Sequence, residues 1–452
     1  MPAKSDASGL DRNSRRLPWL PNLLLIWFGF VGTLGFIYNL KNASSYLSSW
    51  TIGDWLISYA GGFVRRGLPG QFLYSLAKAS HLSPIYFIWG WCCIAFVLLA
   101  VLLWRFASAR LDPVLLASPF CLLMPLLGDY FFRKDITIVL LYGLCLLIIS
   151  RCSRAPGLLR EFGCIIGVNS LGVLAVLTHE SFLFFGLPSL IWLSPRCFRA
   201  FSGHVLRGVP SVMCGLIYLL PICFASAAVL IFKGSGQHAL LIHHAWQEVA
   251  DLFATQSGLL ASHPPDGAIN ALGWSMNAQP VFVISQLVLP ISYAFGQLPP
   301  LNPPIPAVLP WLITVYVVVL LFCAAGQSAF RELRIRVIAF QLCCVAPLFL
   351  IGVDYGRWIF LLTTSSALLY GFLPSFYFFK CLKGRCLSFP LFVHANALIP
   401  SALRQGSVVL MALLLLGIPA CCWSIRGFGL ASPIGYPYKF FVICLSKGNC
   451  AG

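Results

Sequence analysis

Charged residues are scarce in this 452-residue chain: Asp, Glu, Lys and Arg together make up 10% of it, whereas hydrophobic residues make up 59%. A soluble domain carries about 25% charged residues. A chain of this length with so few charges does not cover itself with polar surface, which excludes an ordinary soluble protein. Its apolar residues form long blocks separated by short basic loops, as repeated membrane spans of about 20 residues would.

Strict alternation of apolar and polar residues is absent from blocks such as 136–149, which excludes the strands of a transmembrane barrel. In lipid, the backbone polar groups of a span must be satisfied within it, so the spans are expected to be helices. We therefore predict an all-α, polytopic transmembrane bundle of about 11 spans. The predicted spans cover residues 18–40, 84–104, 113–128, 136–150, 163–178, 181–195, 209–232, 306–326, 336–352, 358–378 and 405–424.

Basic residues exceed acidic ones by 30 to 13, but they concentrate in short loops between the predicted spans. The positive-inside rule explains this better than nucleic-acid binding does, and it places those loops in the cytoplasm. The charge distribution thus predicts a cytoplasmic N-terminus and an external C-terminus, and a bacterial inner membrane is the expected location. Its predicted parts are a basic N-terminus (1–17), a first transmembrane module (18–232) with an external loop (41–83), an external or re-entrant region (233–305), a second module (306–424) and an external tail (425–452). Whether 281–295 spans the membrane, and the oligomeric state, stay open.

The first external loop combines an acidic residue with two adjacent arginines on the side where basic residues are unexpected. Asp54 precedes a glycine-rich stretch, 59–70, that contains Arg65 and Arg66. Glycine lets a backbone approach a ligand closely, and guanidinium groups pair with phosphate oxygens. The stretch therefore indicates either a phosphate-binding loop or an interfacial loop whose arginines meet lipid head groups.

Three further ionisable clusters fall on the same predicted face, each in a short loop between two spans. Ionisable residues at membrane depth are costly and often functional, although each cluster alone is also explained as a helix cap or a charged turn. Four loops together bring carboxylates beside cations, as transfer of a sugar from a phosphate requires. The clusters contain Asp129, Arg133, Lys134 and Asp135; His179 and Glu180; and Asp354 and Arg357.

These residues receive predicted roles. Asp54, Asp129 and Glu180 are the candidate catalytic carboxylates. Asp129 and Asp135 are candidate ligands of a divalent metal, Mg or Mn. The candidate substrate-binding residues are Arg65, Arg66, Arg133, Lys134, His179, Asp354 and Arg357.

The layout of the chain resembles the GT-C superfamily of membrane glycosyltransferases. The resemblance lies in the basic N-terminus, the first span, a large external loop with an acidic residue, and a second acidic site at Asp129 or Asp135. It implies that Asp54 is catalytic and that the donor is a polyprenyl-phosphate sugar used outside the cytoplasm. The chain departs from the pattern in having one acidic residue in the first loop, where a pair is common, and no large soluble C-terminal domain.

The expected function is therefore transfer of a sugar from a lipid-linked donor to a cell-envelope acceptor, with membrane lipids as further partners. A polymerase or ligase of lipid-linked glycans, as in O-antigen assembly, uses similar external arginines and stays an alternative. A lipid or solute transporter is a third. It is favoured less because ionisable residues lie at span ends and no strong internal repeat is visible.

Overall fold

The computed structural model describes residues 19–42, 48–155, 157–198, 209–253, 267–273, 308–324, 331–351, 354–373, 406–418 and 429–445. Within these ranges the regular secondary structure is helical and contains no strand, which confirms the predicted all-α class. The segment 281–295 lies outside the described residues.

The first half of the chain forms ten helices in the described ranges. They are α1 (Leu20–Asn42), α2 (Ser48–Trp55), α3 (Gly67–Ser80), α4 (Pro84–Ala107), α5 (Pro113–Ala117), α6 (Met124–Leu127), α7 (Asp135–Arg154), α8 (Leu158–Thr178), α9 (Phe182–Phe185) and α10 (Leu187–Cys197). The rest of the described chain continues with α11 (Ser211–Tyr218), α12 (Leu220–Ile231), α13 (Gly236–Gln247), α14 (Gly267–Asn270), α15 (Val308–Ala324), α16 (Arg331–Ile351), α17 (Tyr355–Phe372), α18 (Gly406–Leu415) and α19 (Gly435–Tyr438). Short 3-10 turns cover Ala250–Phe253 and Ala271–Gly273, and a π-helix covers Lys439–Leu445.

Five of the described helices, α1, α4, α7, α8 and α16, are long and apolar enough to cross a membrane. The pair α11 and α12 makes a sixth if the two helices, bent by 75°, count as one span. Several apolar helices thus indicate a multi-pass membrane protein, but the predicted count of about 11 spans is not confirmed.

Three of the predicted spans are broken: residues 209–232 by the bend between α11 and α12, and two others by interruptions of the helix. Residues 113–128 form the short helices α5 and α6, and residues 181–195 are divided into α9 and α10 at Gly186. The segment 113–128 runs antiparallel to α17. Arg110, just before it, contacts Gly371; Cys121 contacts Thr364; and the ring of Tyr130 packs on Phe360. Because protein rather than lipid surrounds this segment, its backbone need not be one continuous helix.

Helix α17 forms the centre of the bundle, and all of its residues are buried. It packs against α4, α7 and α16. A Cβ at Gly143 of α7 would lie 3.2 Å from Leu102 of α4 and 3.4 Å from Leu368 of α17. The absence of a side chain there lets the three helices meet closely.

Helix α4 carries an apolar face that no described residue covers. Its exposed side chains include Trp91, Ile94, Val97, Leu98 and Val101, which recur at helical spacing. A continuous apolar face of this kind is unusual on a soluble monomer and suits contact with lipid.

The helices α4, α7 and α17 all begin at one end of the bundle and finish at the other. We call the first the network end, where Lys134, His179 and Asp354 lie, and the second the arginine end, where Arg110 and Arg151 lie. The described parts of the segments that sequence analysis assigned to the external face, from the loop before α4 to the turn before α17, converge on the network end.

Candidate functional site

Ten ionisable side chains form a connected cluster at the network end, which we call the polar network. They come from α2, the loop before α3, the turn before α7, the turn after α8, and the start of α17. Hydrogen bonds, ion pairs and direct electrostatic interactions link them. The members are Asp54, Arg65, Arg66, Arg133, Lys134, Asp135, His179, Glu180, Asp354 and Arg357.

Arg66 joins two carboxylates that lie far apart in sequence. Its Nε donates to Oε2 of Glu180 at 2.7 Å, and its Nη2 pairs with Oε1 of the same carboxylate. Its Nη1 lies 3.3 Å from Oδ1 of Asp54. Burial opposes ionisation of Glu180, but Arg66 holds the pKa of that carboxyl well below its usual range. The fork of the guanidinium thus fixes the two acids relative to each other.

The backbone conformation at Arg66 places its side chain. Arg66 is the residue before α3 and has a φ of 63°, in the left-handed region that non-glycine residues seldom adopt. Its carbonyl accepts a hydrogen bond from Nζ of Lys134 at 3.0 Å. Helix α3 also crosses the preceding chain very closely, since a Cβ at Gly70 would overlap the carbonyl oxygen of Ile57. These contacts hold Arg66 in a strained backbone conformation.

Arg357 organises the other half of the network. Its Nε and Nη2 donate to the two oxygens of Asp135 at 2.8 and 3.2 Å, and its Nη1 lies 2.5 Å from Oδ2 of Asp354. Arg133 lies 3.5 Å from the same Asp354 oxygen. Paired charges at this depth are tolerated because each guanidinium has a carboxylate in contact.

His179 connects the two halves as a neutral ring. Its Nε2 lies 3.3 Å from Nη2 of Arg357, and its Nδ1 lies 3.2 Å from the backbone nitrogen of Ser181 and 3.7 Å from Glu180. Burial and the charge of Arg66 lower the pKa of His179 to about 4. The imidazole therefore orients its neighbours at neutral pH and adds no charge.

Asp54 has one carboxylate oxygen that no described residue binds. Its side chain is 2% exposed, and Oδ2 has no hydrogen-bond partner among the described residues. Burial opposes ionisation, but Lys134 and Arg66 hold the pKa of Asp54 well below its usual range. A buried, ionised oxygen without a donor is rare in a folded protein and calls for an explanation.

Lys134 is the complementary case among the cations. It is fully buried, and within the described part of the chain no carboxylate lies within ion-pair distance of its Nζ. Burial lowers its pKa to about 8, although Asp54 opposes that shift. Lys134 is therefore charged at neutral pH and incompletely compensated.

The network is open on one side. Arg66, Glu180 and Asp354 keep 22%, 15% and 23% of their side-chain surface exposed, whereas Lys134 and Asp135 are closed off. On the buried side of the network, the indole nitrogen of Trp55 donates a hydrogen bond to the carbonyl of Phe132 at 2.6 Å. A ligand reaching Asp54 would enter past Arg66.

Asp129 lies outside the network. Its carboxylate pairs with Lys439 and accepts a hydrogen bond from Tyr436 at 3.2 Å, and Nζ of Lys439 lies 4.2 Å from the ring centre of Tyr38. Among the described residues, no hydrogen bond or ion pair joins Asp129 to the network. Its expected grouping with Asp54 is thus not seen, and its catalytic role stays a prediction.

The metal site proposed at Asp129 and Asp135 stays a prediction. Both oxygens of Asp129 and both of Asp135 already contact cations or a hydroxyl group. No group of three or more His, Cys, Asp or Glu in the described residues is placed to hold a metal ion. A divalent ion at either carboxylate would have to displace these contacts.

Sequence reasoning missed the residues that cover the network. Trp246 of α13 donates to the carbonyl of Leu56 at 2.7 Å, and Nη2 of Arg65 lies 3.3 Å from the carbonyl of Ala271. Helix α14 packs on α2. These contacts join the region after α12 to the first external loop, and no local motif signals them.

No protein-family model matches the chain, and no curated protein or solved structure matches it either. The fold and the network therefore define the class: a multi-pass helical membrane protein with a buried ionisable cluster at one end.

Proposed function

We propose that this protein is a membrane glycosyltransferase that takes a sugar from a polyprenyl-phosphate donor, on the non-cytoplasmic face, and transfers it to a cell-envelope acceptor. The observation that carries the proposal is the arrangement of Asp54 and Lys134. Within the described part of the chain, one is a buried carboxylate with an oxygen that accepts no hydrogen bond, and the other is a buried cation without a carboxylate in ion-pair contact. Together they offer an acceptor for a hydroxyl proton beside a positive charge for a phosphate.

The charge of the network matches such a donor. Its five cations and four carboxylates, with a neutral His179, leave one formal positive charge. A sugar linked to a lipid through a phosphodiester carries one negative charge. Binding this donor would neutralise the network, so neither the phosphate nor a network cation would be buried as an unpaired ion.

The reaction then proceeds by a single displacement at the anomeric carbon. The acceptor hydroxyl oxygen forms a bond to that carbon, and the bond from the carbon to the phosphate oxygen breaks. The phosphate leaves with the bonding electron pair and is stabilised by Lys134 and Arg66. The hydroxyl proton passes to Asp54.

The low pKa of Asp54 beside Lys134 and Arg66 makes it a weak base until a donor binds. A donor phosphate that attracts Lys134 and Arg66 draws their positive charge away from Asp54. Since those two cations are what lower its pKa, donor binding raises its basicity. Proton removal is thereby linked to the presence of the donor.

The test compares Asp54→Asn with Asp112→Asn. Asp112 caps α5 at the opposite end, where its Oδ1 accepts from the backbone of Val114 at 2.9 Å. The full chain in vesicles would receive radiolabelled polyprenyl-phosphate hexoses and an envelope extract as acceptor. We expect Asp54→Asn to lower transfer by about 10²–10⁴-fold while binding of the donor persists. The Asp112 variant should retain transfer.

Unchanged product from Asp54→Asn would contradict the proposal. Mass spectrometry of the product separates addition of one sugar from transfer of a glycan block, which would favour a polymerase or ligase. Movement of a labelled lipid without covalent change would favour a transporter. One observation weighs against transport: in the five described candidate spans, Asp, Glu, Lys and Arg occur only within six residues of a helix end.

A further inference from the structure

A second charged feature lies at the arginine end, away from the polar network. A cavity of about 480 Å³ opens between the last turns of α4, α7 and α17. Its described lining contains four arginines and no acidic residue. We call this feature the arginine cleft, and its arginines are Arg105, Arg110, Arg151 and Arg154.

The four arginines have no acidic partner in the described part of the chain, where no carboxylate lies within ion-pair distance of any of them. Nη1 of Arg110 donates to the carbonyl of Gly371 at 3.1 Å, which uses one of its donors at the end of α17. Helix C-termini partly compensate such charges, but several guanidinium donors around the cleft stay available for a ligand.

A polar group in the wall of the cleft is also unsatisfied. Ser150 lines the cavity and is 1% exposed, and its Oγ has no hydrogen-bond partner among the described residues. A buried hydroxyl without a partner is costly, and an anion in the cleft would accept a hydrogen bond from it. This observation is independent of the arginines and points to the same kind of ligand.

The remaining walls are apolar and continue onto the outer face of the bundle. Phe106 and Leu147 line the cleft, and Val101 and Trp104, which precede it on α4, are 58% and 52% exposed. A ligand with a charged head and hydrocarbon chains would contact both surfaces at once. A small phosphate compound would use only the arginines.

We propose that the arginine cleft binds the phosphate of an acidic membrane phospholipid, whose acyl chains lie along the exposed face of α4. Guanidinium groups bind phosphate oxygens in paired hydrogen bonds, and basic pockets between membrane helices suit anionic head groups. The cleft is then a lipid site separate from the proposed sugar-transfer site.

The experiment measures lipid binding to the full chain by native mass spectrometry from detergent. The probes are dioleoyl phosphatidylglycerol, dioleoyl phosphatidylcholine with the same chains, and inorganic phosphate. We expect phosphatidylglycerol to bind roughly tenfold more tightly than phosphatidylcholine, and the paired change Arg151→Gln with Arg154→Gln to remove that preference. The matched control changes Arg331 and Arg336, which lie outside the cleft, to Gln and should keep it.

A second variant protects the test against misfolding. Ala109 is exposed at the rim of the cleft, so both Ala109→Glu and Ala109→Gln should fold normally. Ala109→Glu should repel an anion and weaken phosphatidylglycerol binding, whereas Ala109→Gln should leave that binding unchanged. Equal losses in the cleft and control variants would overturn the proposal, since they would show a response to net charge alone. Competition by millimolar inorganic phosphate would also overturn it in favour of a soluble phosphate ligand.

Discussion

Lys134 is the residue whose environment is hardest to explain by stability alone. Burying an ammonium group without a carboxylate in contact is unfavourable, and a fully buried lysine usually has a paired partner. Here Nζ donates to the backbone carbonyl of Arg66 and faces Asp54 at longer range. A cation kept in this state is understandable if a ligand supplies the missing negative charge.

The first prediction concerns the pH dependence of donor binding. Burial lowers the pKa of Lys134 to about 8, so the folded protein loses this charge as pH rises through 8. If the charged form binds the donor, affinity should be constant from about pH 6 to 7.5 and then fall by about tenfold per pH unit. The measurement is titration of a polyprenyl-phosphate hexose, whose phosphodiester does not titrate in that range.

The variant Lys134→Arg provides the control for that titration. A guanidinium stays protonated throughout, so the alkaline loss of affinity should disappear while binding at pH 7 persists. The melting temperature of the variant checks that the larger side chain is accommodated. A loss of affinity that stays centred near pH 8 in this variant would assign the titration to another group.

At the scale of elements, the position of α3 determines where Arg66 enters the polar network. Its first residue follows Arg66, and its backbone touches the chain after α2. A Cβ at Gly70 would overlap the carbonyl oxygen of Ile57 and lie 2.8 Å from that of Trp55. Both obstacles are backbone atoms, which cannot move aside as a flexible side chain would.

The second prediction follows from this crossing. Gly70→Ala must push α3 away from residues 55–57, so it should destabilise the protein by at least about 1–3 kcal/mol. Gly90→Ala, at an exposed position of α4 with no atom within 4 Å, should be neutral or up to about 1 kcal/mol stabilising, because alanine favours helix. Thermal unfolding in detergent measures both, and the same sign for the two changes would contradict the crossing.

The long helices were predictable because a helix that faces lipid is a long, nearly uninterrupted run of apolar residues. Residues 18–40, 84–104, 136–150 and 163–178 match α1, α4, α7 and α8 closely. The segment 113–128 does not match a single helix. Its apolar residues are buried by neighbouring helices, and hydropathy does not distinguish such a buried segment from a regular membrane span. Its breaks were visible only as Pro113 and Pro125, each within the first two residues of a short helix.

The sequence predicted which residues form the candidate site, but not which of them pair with each other. Short polar loops between apolar blocks identified all ten members of the polar network, together with Asp129, which lies outside it. Sequence spacing did not show that Glu180 binds Arg66, or that Asp129 binds Lys439, which follows it by 310 residues. Those pairings depend on how distant helix ends meet.

At the scale of the whole molecule, the two ends of the bundle differ in charge and in structure. The network end gathers nearly balanced acids and bases in ion pairs. The arginine end carries cations with few acids, and its described arginines include Arg105, Arg110, Arg151, Arg154, Arg160, Arg196, Arg331, Arg334 and Arg336. By the positive-inside rule, the arginine end is expected to face the cytoplasm.

The third prediction tests that orientation in the full chain. A short peptide tag would be inserted after Leu82, at the network end, or after Ala155, at the arginine end. Both insertions fall in connections between helices, where they are best tolerated. In spheroplasts, an antibody should reach the tag after Leu82 without permeabilisation and the tag after Ala155 only once the membrane is opened. A control tag before α1 should behave like the tag after Ala155, because the N-terminus is expected to lie in the cytoplasm.

The reverse result would have a specific consequence for the proposed reaction. It would place Asp54, Arg66 and Lys134 in the cytoplasm, where nucleotide sugars rather than polyprenyl-phosphate sugars are the common donors. The single positive charge of the network would then be a poor match for a nucleoside diphosphate, which carries more than one negative charge. Orientation therefore decides between donor classes independently of any variant in the site.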